Sequence, residues 1–285
     1  MTVNCLWHTA LAVFFVLCAV TGCASPSGRY DATARTAGDS EHVVKGQRFH
    51  HKIYRNAVSA QNGMLHVFIE GDVSVRQALD SSPPDPTPRK ALMLRMMQDD
   101  SSAAILLGRP CYHGLYVMDA CEIRHLGPER YSEEIVASML TALEGEMRTA
   151  GAGQVVLIGY SGGGALAMLL AARLRAAVAL VTLAGNLDNA ALITYHHSPA
   201  LTGSLDPADM ASLPRAMRQL HFFGGRDEEV PVELARKTLT RQDVAPIIIP
   251  GFDHDCCWEG FWPVIRSYLD PVLQRPSTNY ESHTQ

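Results

Sequence analysis

Residues 154–173 constrain the fold more than any other stretch of this chain. Gln154-Val155-Val156-Leu157-Ile158 is β-branched and apolar, the composition of a strand buried on both faces. It runs into Gly159-Tyr160-Ser161-Gly162-Gly163, and then into Gly164-Ala165-Leu166-Ala167-Met168-Leu169-Leu170-Ala171-Ala172-Arg173, rich in helix formers. Strand, tight turn and helix in that order predict a parallel α/β sheet with Ser161 at the apex of a turn. The small neighbours have a physical reason: strand and helix backbones pass close together there, and a bulky Cβ would collide. Ser161 then stands at a helix N-terminus, where unpaired N–H groups and the helix dipole favour developing negative charge.

A serine hydroxyl is a weak nucleophile unless a base takes its proton and an acid orients the base. Downstream, Gln219-Leu220-His221-Phe222-Phe223-Gly224-Gly225 reads as a strand ending in glycines, followed by Arg226-Asp227-Glu228-Glu229. Asp227 lies just past the strand end, where an orienting carboxylate belongs; Glu228 and Glu229 are the alternatives. Val244 to Pro250 reads as a short strand leading into Gly251-Phe252-Asp253-His254-Asp255. His254 is the candidate base, whereas the doublets His50/His51 and His196/His197 lie outside this loop and read as surface residues. Serine, acid and histidine each follow a strand, so all three would meet at the carboxyl edge of a doubly wound sheet.

With these residues in view, the chain resembles the α/β-hydrolase superfamily. The matching features are Gly-Tyr-Ser-Gly-Gly at 159–163, Gly-Gly-Arg-Asp at 224–227 and Gly-Phe-Asp-His at 251–254, within a span of about residues 50–272. The resemblance implies a mostly parallel sheet flanked by helices, with a short cap region. It also implies a serine hydrolase with Ser161 as nucleophile, Asp227 as acid and His254 as base, working through an acyl-enzyme. An oxyanion hole is implied too, one donor being the Gly162 N–H. The second would come from Glu70-Gly71-Asp72, after the strand-like Met64-Leu65-His66-Val67-Phe68-Ile69. The superfamily often carries His-Gly-Gly there; Glu-Gly-Asp resembles bacterial lipoprotein-type α/β-hydrolases. Gly71 is the expected donor and Asp72 the alternative. No cofactor and no metal are implied. The expected substrate is a small-molecule ester or acyl compound, a carboxylic ester first. A peptidase or amidase with the same triad is one alternative; a non-catalytic envelope lipoprotein using the fold as a binding module is another.

The N-terminus speaks to location. Ala10 to Val20 is an unbroken apolar run of 11 residues, the length of a signal segment and short for a bilayer span. Val20-Thr21-Gly22-Cys23 closes it and resembles a lipobox, which implies cleavage after residue 22 and lipidation of Cys23. No Lys or Arg precedes the run, so a longer membrane anchor starting near Leu6 is the alternative. Ala24, rather than Asp, implies a bacterial outer-membrane lipoprotein facing the periplasm. Residues 23–46 are rich in Ser, Gly, Thr and Ala without apolar periodicity, and read as a disordered tether. One hydrolase domain is expected over 47–272, then a flexible tail at 273–285.

A net charge of −5, with no basic patch interleaved with aromatics, argues against nucleic-acid binding. There is no dinucleotide fingerprint and no phosphate loop. Of seven cysteines, Cys5 and Cys18 fall within the signal and Cys23 is the lipid site, leaving an even number. Cys111 and Cys121 flank a loop after the strand-like Ala103–Leu107, and a disulfide between them is expected in an oxidising compartment; buried thiols are the alternative. Cys256 and Cys257 either bridge each other or pair elsewhere. A zinc site made from them with His254 and Asp255 has the wrong spacing for the common structural patterns. The proline-rich stretch 81–88 is expected to rim the site. Ser132 is the expected N-cap of a long helix, and 185–207 the short cap.

Overall fold

The computed structural model describes residues 25–60, 62–80, 84–118 and 120–273. The expected signal peptide, Cys23 and most of the tail lie outside the described residues. Eight strands form one sheet: β1 (Ser40–Lys45), β2 (His50–Arg55), β3 (Met64–Ile69), β4 (Ala104–Leu107), β5 (Gln154–Tyr160), β6 (Ala177–Leu183), β7 (Arg218–Gly224) and β8 (Ile247–Ile249). Their spatial order is β1-β2-β4-β3-β5-β6-β7-β8. The pairs β1–β2 and β2–β4 are antiparallel; from β4 to β8 every pairing is parallel. The doubly wound sheet expected from the sequence is therefore present.

The helices follow from the connections that parallel pairing demands. They are α1 (Pro26–Ala37), α2 (Val75–Leu79), α3 (Leu92–Gln98), α4 (Glu133–Ala150), α5 (Gly162–Ala171), α6 (Asn189–Tyr195), α7 (Val232–Gln242) and α8 (Trp258–Leu273). Successive residues of a strand point to opposite faces, so each central strand feeds two cores. Leu65, Val67 and Ile69 of β3 and Val155 and Leu157 of β5 lie under α4 and α5. Phe68 of β3 and Val156 and Ile158 of β5 face Met93 and Leu94 of α3 and the fully buried Trp258 and Trp262 of α8. Each fully buried aliphatic or methionine side chain contributes about 1.5–3 kcal/mol relative to exposure. Ser132 takes the N-cap position of α4, as expected, with two acids in the first turn favoured by the helix dipole; its hydroxyl makes no capping bond.

The tether expected at 23–46 is corrected by the structure: residues 26–45 are part of the domain. Ser25 caps α1, Gly38 ends it in a left-handed conformation, and β1 pairs with β2 along the sheet edge. Two side chains one turn apart, Tyr30 and Ala34, are the buried contacts of α1. Tyr30 donates a 2.7 Å hydrogen bond to buried Glu70, and Tyr54 donates one of 2.6 Å to Asp31. A helix that buries two residues, and an edge strand largely open to solvent, leave little apolar period to read. The domain thus starts by Ser25 rather than at residue 47.

His51 is a second correction. It is fully buried in β2, not a surface residue, with Nδ1 at 2.9 Å from Gly108 O and Nε2 at 2.8 Å from Ser138 Oγ. Burial pushes its pKa down to about 4, so the ring is neutral structural packing. Cys111 and Cys121 are disulfide-bonded, with Cα atoms 5.6 Å apart. Cys256 and Cys257 bridge each other, the first of the two arrangements expected for them. Among the described residues, no helix is long and apolar enough to cross a membrane.

Candidate active site

The turn between β5 and α5 is built as its glycines require. Ser161 has φ 52°, a left-handed backbone that a non-glycine residue adopts only when its surroundings hold it there. What holds it is β6 and the segment beyond: Ser161 N–H donates to Leu183 O at 3.0 Å, and Ser161 O accepts from Gly164 N–H at 2.9 Å and Asn186 N–H at 3.0 Å. A Cβ on Gly163 would overlap the carbonyls of Ile69 and Glu70 at the end of β3. The absence of that Cβ lets α5 start directly against the 70–72 loop.

Ser161, Asp227 and His254 are brought together from three strand ends. His254 Nε2 lies 3.1 Å from Ser161 Oγ, and His254 Nδ1 lies 2.9 Å from Asp227 Oδ2. Asp227 is fixed in turn, because its Oδ1 accepts the N–H groups of Glu229 at 2.9 Å and Val230 at 2.8 Å. The His254 carbonyl accepts from Trp258 Nε1 at 2.9 Å and from Tyr160 Oη at 3.1 Å, which clamps the loop from both sides. Burial alone would lower the His254 pKa. The hydrogen bond and charge of Asp227 outweigh it, helped by Glu229 and Asp255, so the pKa is raised above the usual imidazole value. Glu229, one of the alternative acids, reaches within 3.8 Å of Nε2 but is 72% exposed. His196 is exposed on the cleft wall, bonded through Nε2 to Glu229 O at 2.7 Å.

The 70–72 loop carries a cluster that sequence reasoning missed. The Asp72 carboxylate pairs with Arg109, accepts from Tyr131 Oη, and lies 3.4 Å from Arg130 Nε. Burial raises the Asp72 pKa, but the two guanidiniums and the phenol more than reverse this, so it stays charged. Asp72 packs over the first turn of α5, where a Cβ on Gly162 would overlap its carboxylate. Next door, burial lifts the pKa of Glu70 to about 7, against the pull of the Tyr30 hydroxyl and the N–H groups of Met93, Gly71 and Leu94. No local signal marks this cluster, since residues 72, 109 and 130–131 come from three separate loops.

The site opens into a cleft of about 950 Å³. Val73, Leu192, Ile193 and Leu201 supply apolar wall, while Pro88 and Arg89 bring the proline-rich segment to the rim as expected. The segment 185–207 contains α6 and the start of a 3-10 turn at Pro207–Asp209, so the cap is short. The Cys256–Cys257 bridge lines the wall beyond His254. Away from the cleft, His125, Glu129 and Glu134 converge at metal-ligand distances. Arg124 and Arg48 already neutralise those carboxylates at 2.6 Å each, which argues for an ion-pair network.

No protein-family signature matches the sequence, and no curated protein does so. Solved structures do resemble the fold. A membrane phospholipase A, described as a novel bacterial virulence factor, is 15% identical, with a TM-score of 0.58 over 94% of this chain and 99% of that one. Alpha/beta hydrolase domain-containing protein 10 from mouse is 15% identical, with a TM-score of 0.56 over 82% and 99%. Est1E from Butyrivibrio proteoclasticus is 14% identical, with a TM-score of 0.54 over 82% and 99%. The architecture is the α/β-hydrolase fold.

Proposed function

We propose that this protein is a serine hydrolase that cleaves carboxylic esters through an acyl-enzyme. The observation that carries the reading is the continuous relay from Asp227 through His254 to Ser161, at 2.9 and 3.1 Å. Ser161 Oγ attacks the carbonyl carbon as His254 Nε2 takes its proton. Asp227 holds the Nδ1–H tautomer and stabilises the imidazolium. The tetrahedral oxyanion is met by backbone N–H groups of Gly162 and the 71–72 loop. Gly71 is the second donor in this mechanism, with the Asp72 N–H as the alternative on the same loop. His254 then returns its proton to the leaving alcohol oxygen. Water, deprotonated by the same nitrogen, attacks the acyl-enzyme and releases the acid and free Ser161.

The test is labelling with a fluorophosphonate, which phosphonylates an activated serine. Labelling at Ser161 is expected, lost in Ser161→Ala, with ester turnover falling on the order of 10⁴-fold or more. Unchanged turnover in Ser161→Ala would sink the mechanism. A peptide and amide panel run beside the esters separates the esterase from a peptidase with the same triad.

For location, we propose cleavage before Cys23, lipidation of its thiol, and attachment to the bacterial envelope, at the outer membrane facing the periplasm. The apolar run and the residues Val20 to Cys23 support this reading. Mass spectrometry of the mature N-terminus tests it: an unmodified Cys23 on an intact N-terminal segment would overturn it.

A further inference from the structure

The charges around the cleft do not cancel evenly. On the rim, Lys90 pairs with Asp255 at 2.5 Å, Arg95 with Glu259 at 3.4 Å, and Arg89 with Asp80 at 3.3 Å. Glu70 is sequestered by Tyr30 Oη at 2.7 Å and Met93 N–H at 3.1 Å. Exposed Glu229 faces His254. Beside the nucleophile the pattern differs. Two guanidiniums, Arg109 and Arg130, share the single carboxylate of Asp72. Arg109 is almost wholly enclosed, with 2% of its side chain exposed, and also donates to Arg130 O. Arg130 lines the cleft with 23% of its side chain exposed. Its buried Nε faces Asp72 Oδ2 at 3.4 Å without making a hydrogen bond, so Asp72 holds Arg130 by charge alone. One positive charge is thus left over, on a side chain separated from Gly162 by a single carboxylate.

We infer that Arg130 recognises an anionic oxygen group, a carboxylate or phosphate, carried by the substrate next to the scissile ester. This deepens the esterase reading above and rests on it. A guanidinium offers a planar fork of donors that matches either anion. Here the fork is pre-positioned: Asp72 holds it on one side, and the Tyr131 ring centroid lies 5.6 Å from Arg130 Cζ. Little side-chain entropy is then lost on binding. The same charge works against a substrate that brings no anion, because the cleft would be closed over a cation without a full complement of partners.

Two pairs of esters, followed by pH-stat titration, test the inference and locate the anion. Monomethyl glutarate against methyl valerate places it on the acyl side. 1-Butyrylglycerol 3-phosphate against 1-butyrylglycerol places it on the alcohol side. In at least one pair the anionic ester should have the higher kcat/KM, by about tenfold or more, as for a charge-assisted hydrogen bond. In Arg130→Gln that ratio should collapse towards one. A merely structural role for Arg130 would lower both members of a pair alike and leave the ratio standing. A wild-type ratio of one or less in both pairs, or a preference that survives Arg130→Gln, overturns the inference while leaving the esterase reading intact. If Ser161-dependent cleavage of all four esters is absent, the esterase reading fails and takes the inference with it. Should Arg130→Gln not fold, glutarate and glycerol 3-phosphate should inhibit wild-type methyl valerate hydrolysis more strongly than 1,5-pentanediol and glycerol. Equal inhibition would overturn the inference.

Discussion

The Asp72 carboxylate occupies the space that a Cβ on Gly162 would need. The first residue of α5 and the 70–72 loop are thereby locked to each other, and both proposed oxyanion donors belong to this one contact. Gly162→Ala should push Asp72 away from Arg109 and Tyr131 and widen the hole. Loss of one such donor typically costs about 10²–10³ in kcat. The expected outcome is a folded protein by circular dichroism with kcat reduced by at least that order. Wild-type kcat in Gly162→Ala would show that the contact is irrelevant to the chemistry.

Asp227→Asn should lower kcat by about 10⁴. The amide oxygen can still accept from Glu229 and Val230, so the turn survives. The amide nitrogen then faces His254 Nδ1 and favours the wrong tautomer. Glu228→Gln should stay near wild type; a dead Glu228→Gln beside an active Asp227→Asn would reassign the acid.

The pH profile follows from the raised pKa of His254. Its neutral form is the base, so kcat/KM should fall on the acid side with a midpoint above the ordinary imidazole value of about 6.5. Asp227, Glu229 and Asp255 all favour the imidazolium. Removing one charge in Glu229→Gln should move the midpoint to lower pH and leave more activity in mild acid. A limb that stays put would remove Glu229 from the electrostatics of the site.

Much of this architecture is legible in the sequence, for identifiable reasons. The strands β5 and β6 are nearly continuous apolar runs because parallel strands are buried on both faces, and β3 and β7 stay legible although His66 and His221 interrupt them. The Ser161 turn is legible because its backbone conformation and close contacts admit few side chains. The regions that escape are those whose stability comes from a handful of contacts. Helix α1 is held chiefly by Tyr30 and Ala34, and β1 by edge hydrogen bonds. The Asp72 cluster escapes for a different reason: ion pairs between distant loops leave no period behind.

The corrected N-terminus is testable by truncation. Removal of residues 1–46 strips Tyr30 and β1 from the domain and leaves Glu70 buried without its phenol partner. A chain starting at Ser25 should fold, whereas one starting at Gln47 should be aggregated or strongly destabilised. Tyr30→Ala alone should cost roughly 3–5 kcal/mol, the range for losing a buried aromatic. Equal melting temperatures for the two truncations would restore the tether.

Replacing both Cys111 and Cys121 by serine should destabilise the protein by about 2–3 kcal/mol, the expectation for a loop of this size. Non-reducing peptide mapping of the native protein checks the bond directly. Free thiols at both positions would rule it out.

The first turn of α1 changes what a lipid on Cys23 would accomplish. Ser27 N–H is bonded to Asp85 at 2.8 Å, in the segment that leads to Pro88, Arg89 and Lys90 at the mouth of the cleft. From Cys23 to Ser25 the fully extended chain spans roughly 7 Å. A leash of that length would keep the first turn of α1 close to the membrane. The Asp85 side of the cleft mouth, tied to Ser27, would then lie nearer the headgroups than the far side does. The anchor would then act less as a mooring than as a compass, setting the direction from which an ester reaches Ser161.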